Sequence, residues 1–266
     1  MTIKREARER LQEYSKCKKD PIYFIEKYIK FNVMGTMINI KLYPPQKDYI
    51  NALQNDHYVT LLKTRQMGAS SMNQAFIVWV CTFHTYLNSA IITLNHDDAI
   101  IQSKLIMDMI DCLPQWLKPK FKKRVQTRFV LDNGNTFTAE NGRSRNAEYV
   151  FRGHTLHITM IDEATFIPGI NNIWNGLAPI LFSVAKNVEK GKNPYVISIG
   201  STASQQYTWF TRMWDESNEE ASMFTPCKLY WKDIPKFAND PTWFERQCSY
   251  LNNDKEMINL ELEMGM

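Results

Sequence analysis

The chain has 266 residues, 44% of them hydrophobic and 23% charged, with a formal net charge of +4. That is room for one large α/β domain or two small ones, and an ordinary globular balance that excludes general disorder. With 10 glycines and 11 prolines it is neither fibrous nor linker-rich. The longest apolar run, Ala75–Phe83, is too short to span a bilayer, and the charged N-terminus lacks the apolar core of a secretory signal. Five scattered cysteines (Cys17, Cys81, Cys112, Cys227, Cys248) form no C-x-x-C and read as reduced cytosolic thiols.

The first 30 residues predict two helical pieces: a charged one over Glu6–Lys18, then one opened by Asp20 as cap and Pro21 at the first position, with Phe24, Ile25 and Tyr28 on its apolar face. Tyr43-Pro44-Pro45 breaks the chain before a helix over Gln46–Gln54. From residue 57 strands and helices alternate. Strands are expected at Tyr58–Leu62, Ser89–Leu94, Leu156–Ile161 and Tyr195–Ile199. Helices are expected at Ser70–Phe83, after Asp97 or Asp98 as cap, at Asn171–Phe182 and at Tyr207–Asn218. Phe129–Phe137 reads as a β-hairpin around Asn133-Gly134. This order predicts a mainly parallel sheet with helices on both faces, and ligands at the carboxyl ends of its strands.

Charge is uneven. Lys118, Lys120, Lys122, Lys123, Arg124 and Arg128 follow one another with no acid between them, whereas residues 215–266 hold eleven acidic against five basic residues. The basic stretch fits a face for a polyanion, with Arg143 and Arg145 as further candidates, and it equally fits a solvated surface loop. The C-terminal acids Asp254, Glu256, Glu261 and Glu263 sit at helical spacing, which a solvated helix explains; a nuclease would need metal-binding acids on separate strands.

Chemistry-bearing residues gather at the expected strand ends. The first strand runs into Lys63-Thr64-Arg65-Gln66-Met67-Gly68-Ala69-Ser70-Ser71 and then a helix, the context of a phosphate-binding loop. Against the pattern G-x-x-x-x-G-K-[ST], Gly68 and Ser70 match, Lys63 takes the first glycine position and Ala69 the lysine position. The strand Leu156–Ile161 ends in Asp162-Glu163. Two adjacent carboxylates at the end of a buried strand are costly without work to do, and alternation sends them to different tasks. Asp162 with Ser70 suits Mg²⁺; Glu163 suits activation of the attacking water. Ser201-Thr202 ends another buried strand. Gln46 offers the donor–acceptor pair that matches adenine, and equally opens a helix.

Taken together these residues resemble the N-terminal ATPase domain of the large terminase subunit of tailed bacteriophages. The resemblance runs through Pro21, Phe24, Ile25 and Tyr28, Gln46, Arg65-Gln66 with Gly68, the Asn133-Gly134 hairpin, Arg152-Gly153, Ile161–Ala164, Phe166–Pro168, Ser201-Thr202, and Tyr207, Phe210 and Trp214. It implies an ASCE/RecA-like P-loop NTPase fold. Residues 1–40 would form an N-terminal helical segment, 41–235 the ATPase core, and 236–266 a C-terminal helical subdomain running to the linker of an absent nuclease domain. It implies a DNA-packaging motor using ATP and Mg²⁺, acting in the host cytoplasm as a ring on the portal, with double-stranded DNA and a small terminase subunit as partners and no membrane. By position Gln46 would hold adenine, residues 63–71 the phosphates, Ser70 and Asp162 the magnesium, and Glu163 would be the catalytic carboxylate. Ser201-Thr202 would couple hydrolysis to movement, and Arg152 or Arg65 would supply an arginine finger. Ala69 departs from the pattern; Lys63 fits a variant with the lysine at the start of the loop. The alternatives are a helicase-like DNA translocase, for which the residues after Thr202 are too few to form a second motor domain, and a catalytically weak nucleotide-binding module that docks DNA or the portal, favoured by Ala69.

Overall fold

The computed structural model describes residues 2–143, 151, 155–187, 194–204 and 206–263. Thr2–Lys19 (α1) and Pro21–Tyr28 (α2) open the chain. The Asp20 carboxylate between them accepts from the Tyr23 N–H at 2.8 Å and caps α2, as expected. A hairpin follows, Phe31–Val33 (β1) and Thr36–Ile38 (β2), which the sequence pattern does not announce. Then come Pro44–Asn55 (α3), Tyr58–Lys63 (β3), Ala69–Phe83 (α4), Asn88–Thr93 (β4), His96–Asp111 (α5), Phe121–Val125 (β5), Arg128–Leu131 (β6), Thr136–Asn141 (β7) and Ile158–Ile161 (β8). The chain continues through Ile170–Asn187 (α6), Val196–Ser201 (β9), Trp209–Ser217 (α7), Thr225–Leu229 (β10), Pro235–Ala238 (α8), Trp243–Tyr250 (α9) and Lys255–Glu261 (α10).

Eight strands form one sheet in the order β10-β3-β9-β8-β4-β7-β6-β5. From β10 to β7 every pairing is parallel; β7-β6 and β6-β5 are antiparallel. Strand β9 therefore lies between β3, which leads into the candidate phosphate loop, and β8, which ends at Asp162-Glu163. Side-chain alternation divides the core in two. Val59, Leu61, Ile91, Met160 and Val196 face one way and pack with residues of α1–α5; Leu62, Ile92, Ile161 and Ile199 face the other and pack with α6 and α7. Phe24 and Ile25 of α2, and Ile29 just after it, join the first cluster.

Three local expectations change. The cap of α5 is Asn95, whose carbonyl oxygen accepts from the Asp98 N–H at 2.9 Å; Asp97 and Asp98 lie inside the first turn, where they complement the helix dipole. The basic stretch 118–128 contains β5, the outermost strand of the sheet. Charged side chains on an open edge discourage pairing with another chain. Finally, Glu261 is buried rather than solvated. The β6–β7 hairpin forms as expected, with Phe129 stacked on Phe137 at 5.0 Å. Its Gly134 has φ +84°, and a Cβ there would meet the Tyr86 ring at 2.4 Å. Among the described residues no helix is long and apolar enough to cross a membrane.

Candidate functional site

The site lies where β3, β8 and β9 end. Lys63, the last residue of β3, is buried, and its Nζ donates to Asp162 Oδ1 and Glu163 Oε1, both at 2.9 Å. Two strand spacings separate β3 from β8, roughly 10 Å, and the lysine reaches across the end of β9 to close them. Burial works against the Lys63 charge, but the two carboxylates outweigh it and hold its pKa above the usual lysine value. Ser70, in the first turn of α4, donates to the other Asp162 oxygen at 2.5 Å. Glu163 sits at φ 55°, a left-handed backbone that is strained for a residue with a side chain and turns its carboxylate out of the strand's alternation. Its Oε2 is buried with no hydrogen-bond partner among the described residues.

The loop between β3 and α4 is shaped by two positive-φ residues, Gln66 (63°) and Gly68 (82°). Gly68 precedes α4, whose first N–H groups have no acceptor within the helix and carry the positive end of its dipole. Gln46 closes the loop from the side. Its Nε2 donates to Met67 O at 3.0 Å, while its Oε1 accepts from the Tyr43 N–H at 3.0 Å. A Cβ on Gly68 would come within 3.0 Å of that Nε2. The Gln46 amide keeps one N–H and one lone pair beyond these bonds, the minimum for a bidentate adenine contact. Met67 and Ala69 are buried, Gln66 is exposed, and Ser71 is half-buried on α4. Thr64 turns away: its N–H and hydroxyl both donate to Leu229 O, at 3.0 and 3.2 Å.

Arg65 is held by Glu261, which its helical spacing assigns to a solvated helix instead of the site. The Arg65 Nε lies 2.7 Å from Glu261 Oε2, and the Arg65 backbone N–H donates to Glu261 O at 3.2 Å. Burial raises the pKa of Glu261 although Arg65 opposes it. The buried neighbour Leu262 is the one sequence signal that could have indicated that α10 turns this stretch inward. Ser201 accepts from the Thr165 N–H at 3.2 Å, joining β9 to the turn after Glu163. Thr202 is buried, and its hydroxyl has no partner among the described residues. Arg152, the other finger candidate, and Arg145 lie outside the described residues, as does Gly153.

The basic candidates stand apart. Strand β5 is four strands from β8, roughly 19 Å at about 4.8 Å per strand. Arg124 pairs with Asp111 at 2.6 Å and lies over the Phe121 ring; Lys118 donates to the Asp111 carbonyl. Lys120, Lys122, Lys123, Arg128 and Arg143 are exposed or half-buried.

No protein-family model matches the chain. Solved structures do share its fold. The ATPase domain of the Thermus phage P74-26 large terminase aligns with a TM-score of 0.64 at 16% identity, covering 84% of this chain and 93% of that one. The chain has the fold of a large-terminase ATPase domain. The large terminase of bacteriophage HK97 aligns with a TM-score of 0.69 at 13% identity, over 94% of this chain and 55% of that one. A large terminase of a thermophilic bacteriophage, solved in complex with ADP, gives 0.61 at 11% identity, over 84% and 53%. The chain thus matches nearly all of an isolated terminase ATPase domain and about half of the two longer terminase chains. Among the described residues no group of three or more His, Cys, Asp and Glu could hold a metal. Asp162 and Ser70 bring one carboxylate and one hydroxyl together, hard-oxygen donors of the kind that Mg²⁺ takes.

Proposed function

We propose that the chain is the ATPase motor domain of a phage DNA-packaging terminase, hydrolysing ATP to translocate double-stranded DNA into a procapsid. The observation that carries this is the junction of Lys63, Asp162, Glu163 and Ser70 beside the open N-terminus of α4, on a terminase ATPase fold.

The triphosphate lies against the first turn of α4, where the N–H groups of residues 68–71 and the helix dipole receive its charge. Adenine meets the free edge of Gln46. Lys63 exchanges its carboxylate partners for β- and γ-phosphate oxygens, which places a cation there without a lysine at position 69. That exchange releases Glu163, whose unpartnered oxygen accepts from the attacking water and orients it. Water oxygen bonds to the γ-phosphorus and gives one proton to the Glu163 carboxylate, while the bridging bond to the β-phosphate breaks with its electron pair left on ADP; ADP and inorganic phosphate depart and Glu163 returns the proton to solvent. Ser70 and Asp162 would hold Mg²⁺, which would supply positive charge against the negative charge of the triphosphate. Arg65 or Arg152 adds positive charge in the transition state. Ser201, bonded to the turn after Glu163, and Thr202 pass the change in that turn to β9. The exposed basic residues Lys120, Lys122, Lys123, Arg124, Arg128 and Arg143, with the half-buried Lys118, contact DNA phosphates. A ring of copies docks on the portal, with the small terminase subunit delivering DNA.

The test is phosphate release from ATP with double-stranded DNA and Mg²⁺ present. Glu163→Gln is expected to lose at least about a hundredfold in rate, the scale of a general-base contribution, while still binding ATP. Turnover of Glu163→Gln equal to the parent's refutes the assignment.

A further inference from the structure

One buried side chain on α3 bonds to both α4 and β9, two of the elements that carry the proposed site. Tyr49, on α3, is fully buried. Its hydroxyl donates to Asn73 Oδ1 of α4 at 2.6 Å and lies 2.7 Å from Ser198 Oγ of β9. A phenol has one proton. With that proton given to Asn73, the Ser198 hydroxyl is the donor in the second bond. Burial pushes the Tyr49 pKa far up, so the proton stays in place at every working pH.

The spacing gives the node its meaning. Tyr49 follows Gln46 by three residues on α3, and Asn73 follows Ser70 by three residues on α4, so each shares a helix face with a site residue. Ser198 precedes Ser201 by three residues on β9. An odd separation on a strand puts them on opposite faces: Ser198 toward α3 and α4, Ser201 toward the turn after Glu163. The base side, the metal side and the coupling strand are thereby pinned at one point behind the loop. Tyr49 otherwise belongs to a buried apolar cluster that also holds Ile50, Leu53 and Phe76.

We propose that Tyr49 is a positioning residue for nucleotide recognition: through Asn73 and Ser198 it fixes the depth of Gln46 relative to the phosphate loop. This rests on the nucleotide site proposed above. Losing the node lets α3 shift against α4, and Gln46 no longer meets the base while the phosphates are still held.

The test uses the full chain and two non-hydrolysable probes, the β,γ-imido analogues of ATP and GTP, measured by titration calorimetry with Mg²⁺. Tyr49→Phe and Ser198→Ala are each expected to lower the adenine-over-guanine affinity ratio about tenfold, about one hydrogen bond's worth. Their effects should combine less than additively, because they break the same node. Thr60→Ala is the control. It removes a different buried hydroxyl pair, Thr60 with Ser217 at 2.8 Å, and should lower the melting temperature without moving the ratio. A parent that prefers adenine while Tyr49→Phe or Ser198→Ala keeps that preference overturns the positioning role and leaves the nucleotide site standing. A parent that binds neither analogue overturns both. If Tyr49→Phe does not fold, Ser198→Ala alone decides.

Discussion

Lys63 is the residue whose removal should be felt first. Lys63→Met keeps most of the volume of the stem and deletes the ammonium between two acids. The side chains involved are 8% (Lys63), 10% (Asp162) and 31% (Glu163) exposed. Breaking a buried ion pair by removing one partner costs about 3–5 kcal/mol. Asp162 keeps its bond from Ser70 and Glu163 is partly solvated, so the low end, about 3 kcal/mol, applies. With an unfolding entropy of about 2.1 cal/mol/K per residue, roughly 560 cal/mol/K for this chain, the melting temperature should fall by about 5 °C. The assay is thermal unfolding at pH 7 without nucleotide and with divalent ions chelated. Adding Asp162→Asn and Glu163→Gln to Lys63→Met should recover most of the loss, because no buried charge is then unpaired. A single variant within about 1 °C of the parent, or a triple variant with no recovery, refutes the compensation argument.

Further predictions follow from individual contacts. Arg65→Ala leaves the Glu261 carboxylate buried and unpaired, so it should cost more stability than Glu261→Gln, which keeps a neutral group of the same shape; urea unfolding of the two variants gives the order. His84 has its pKa lowered from 6.5 to about 4, first by burial and then by the Lys18 charge. The neutral ring is therefore the folded form. Its contribution is complete above pH 6.5 and is lost as pH falls toward 4, a change of at most about 3 kcal/mol, so His84→Asn should flatten the stability profile over that window. Gly68→Ala must place a side chain at φ +82° and press on Gln46; if the loop relaxes away from that conformation, nucleotide binding should weaken about five- to thirtyfold, the equivalent of roughly 1–2 kcal/mol of left-handed strain.

Much of the site could be read in the sequence because its parts obey local rules. A strand that runs into a Gly-containing turn and a helix was legible at Lys63–Ser71, and a buried strand ending in two acids was legible at Asp162-Glu163. What local rules could not supply was contact over long separations. Lys63 and Asp162 meet 99 positions apart, across a strand that arrives later in the chain. Glu261 reads as one more acid on a charged helix, and only the fold brings it under Arg65. Tyr49 reads as an apolar position on the α3 face; its hydroxyl acquires partners only when α4 and β9 close on it. The basic stretch was legible as charge but not as an edge strand, because Phe121–Val125 carries three successive cations (Lys122, Lys123, Arg124) and lacks clear alternation. The β1–β2 hairpin was missed because its turn, Met34-Gly35, puts a methionine at φ 49°, where Asn or Asp is the usual signal.

The most direct measurement is a structure of the chain with Mg²⁺ and a non-hydrolysable ATP analogue. The proposed phosphate site requires the triphosphate at the N-terminus of α4, with Lys63 Nζ moved from Asp162 and Glu163 to the β- or γ-phosphate oxygens and Glu163 turned toward the γ-phosphate. A triphosphate bound elsewhere, or bound there with Lys63 still on both carboxylates, would contradict it.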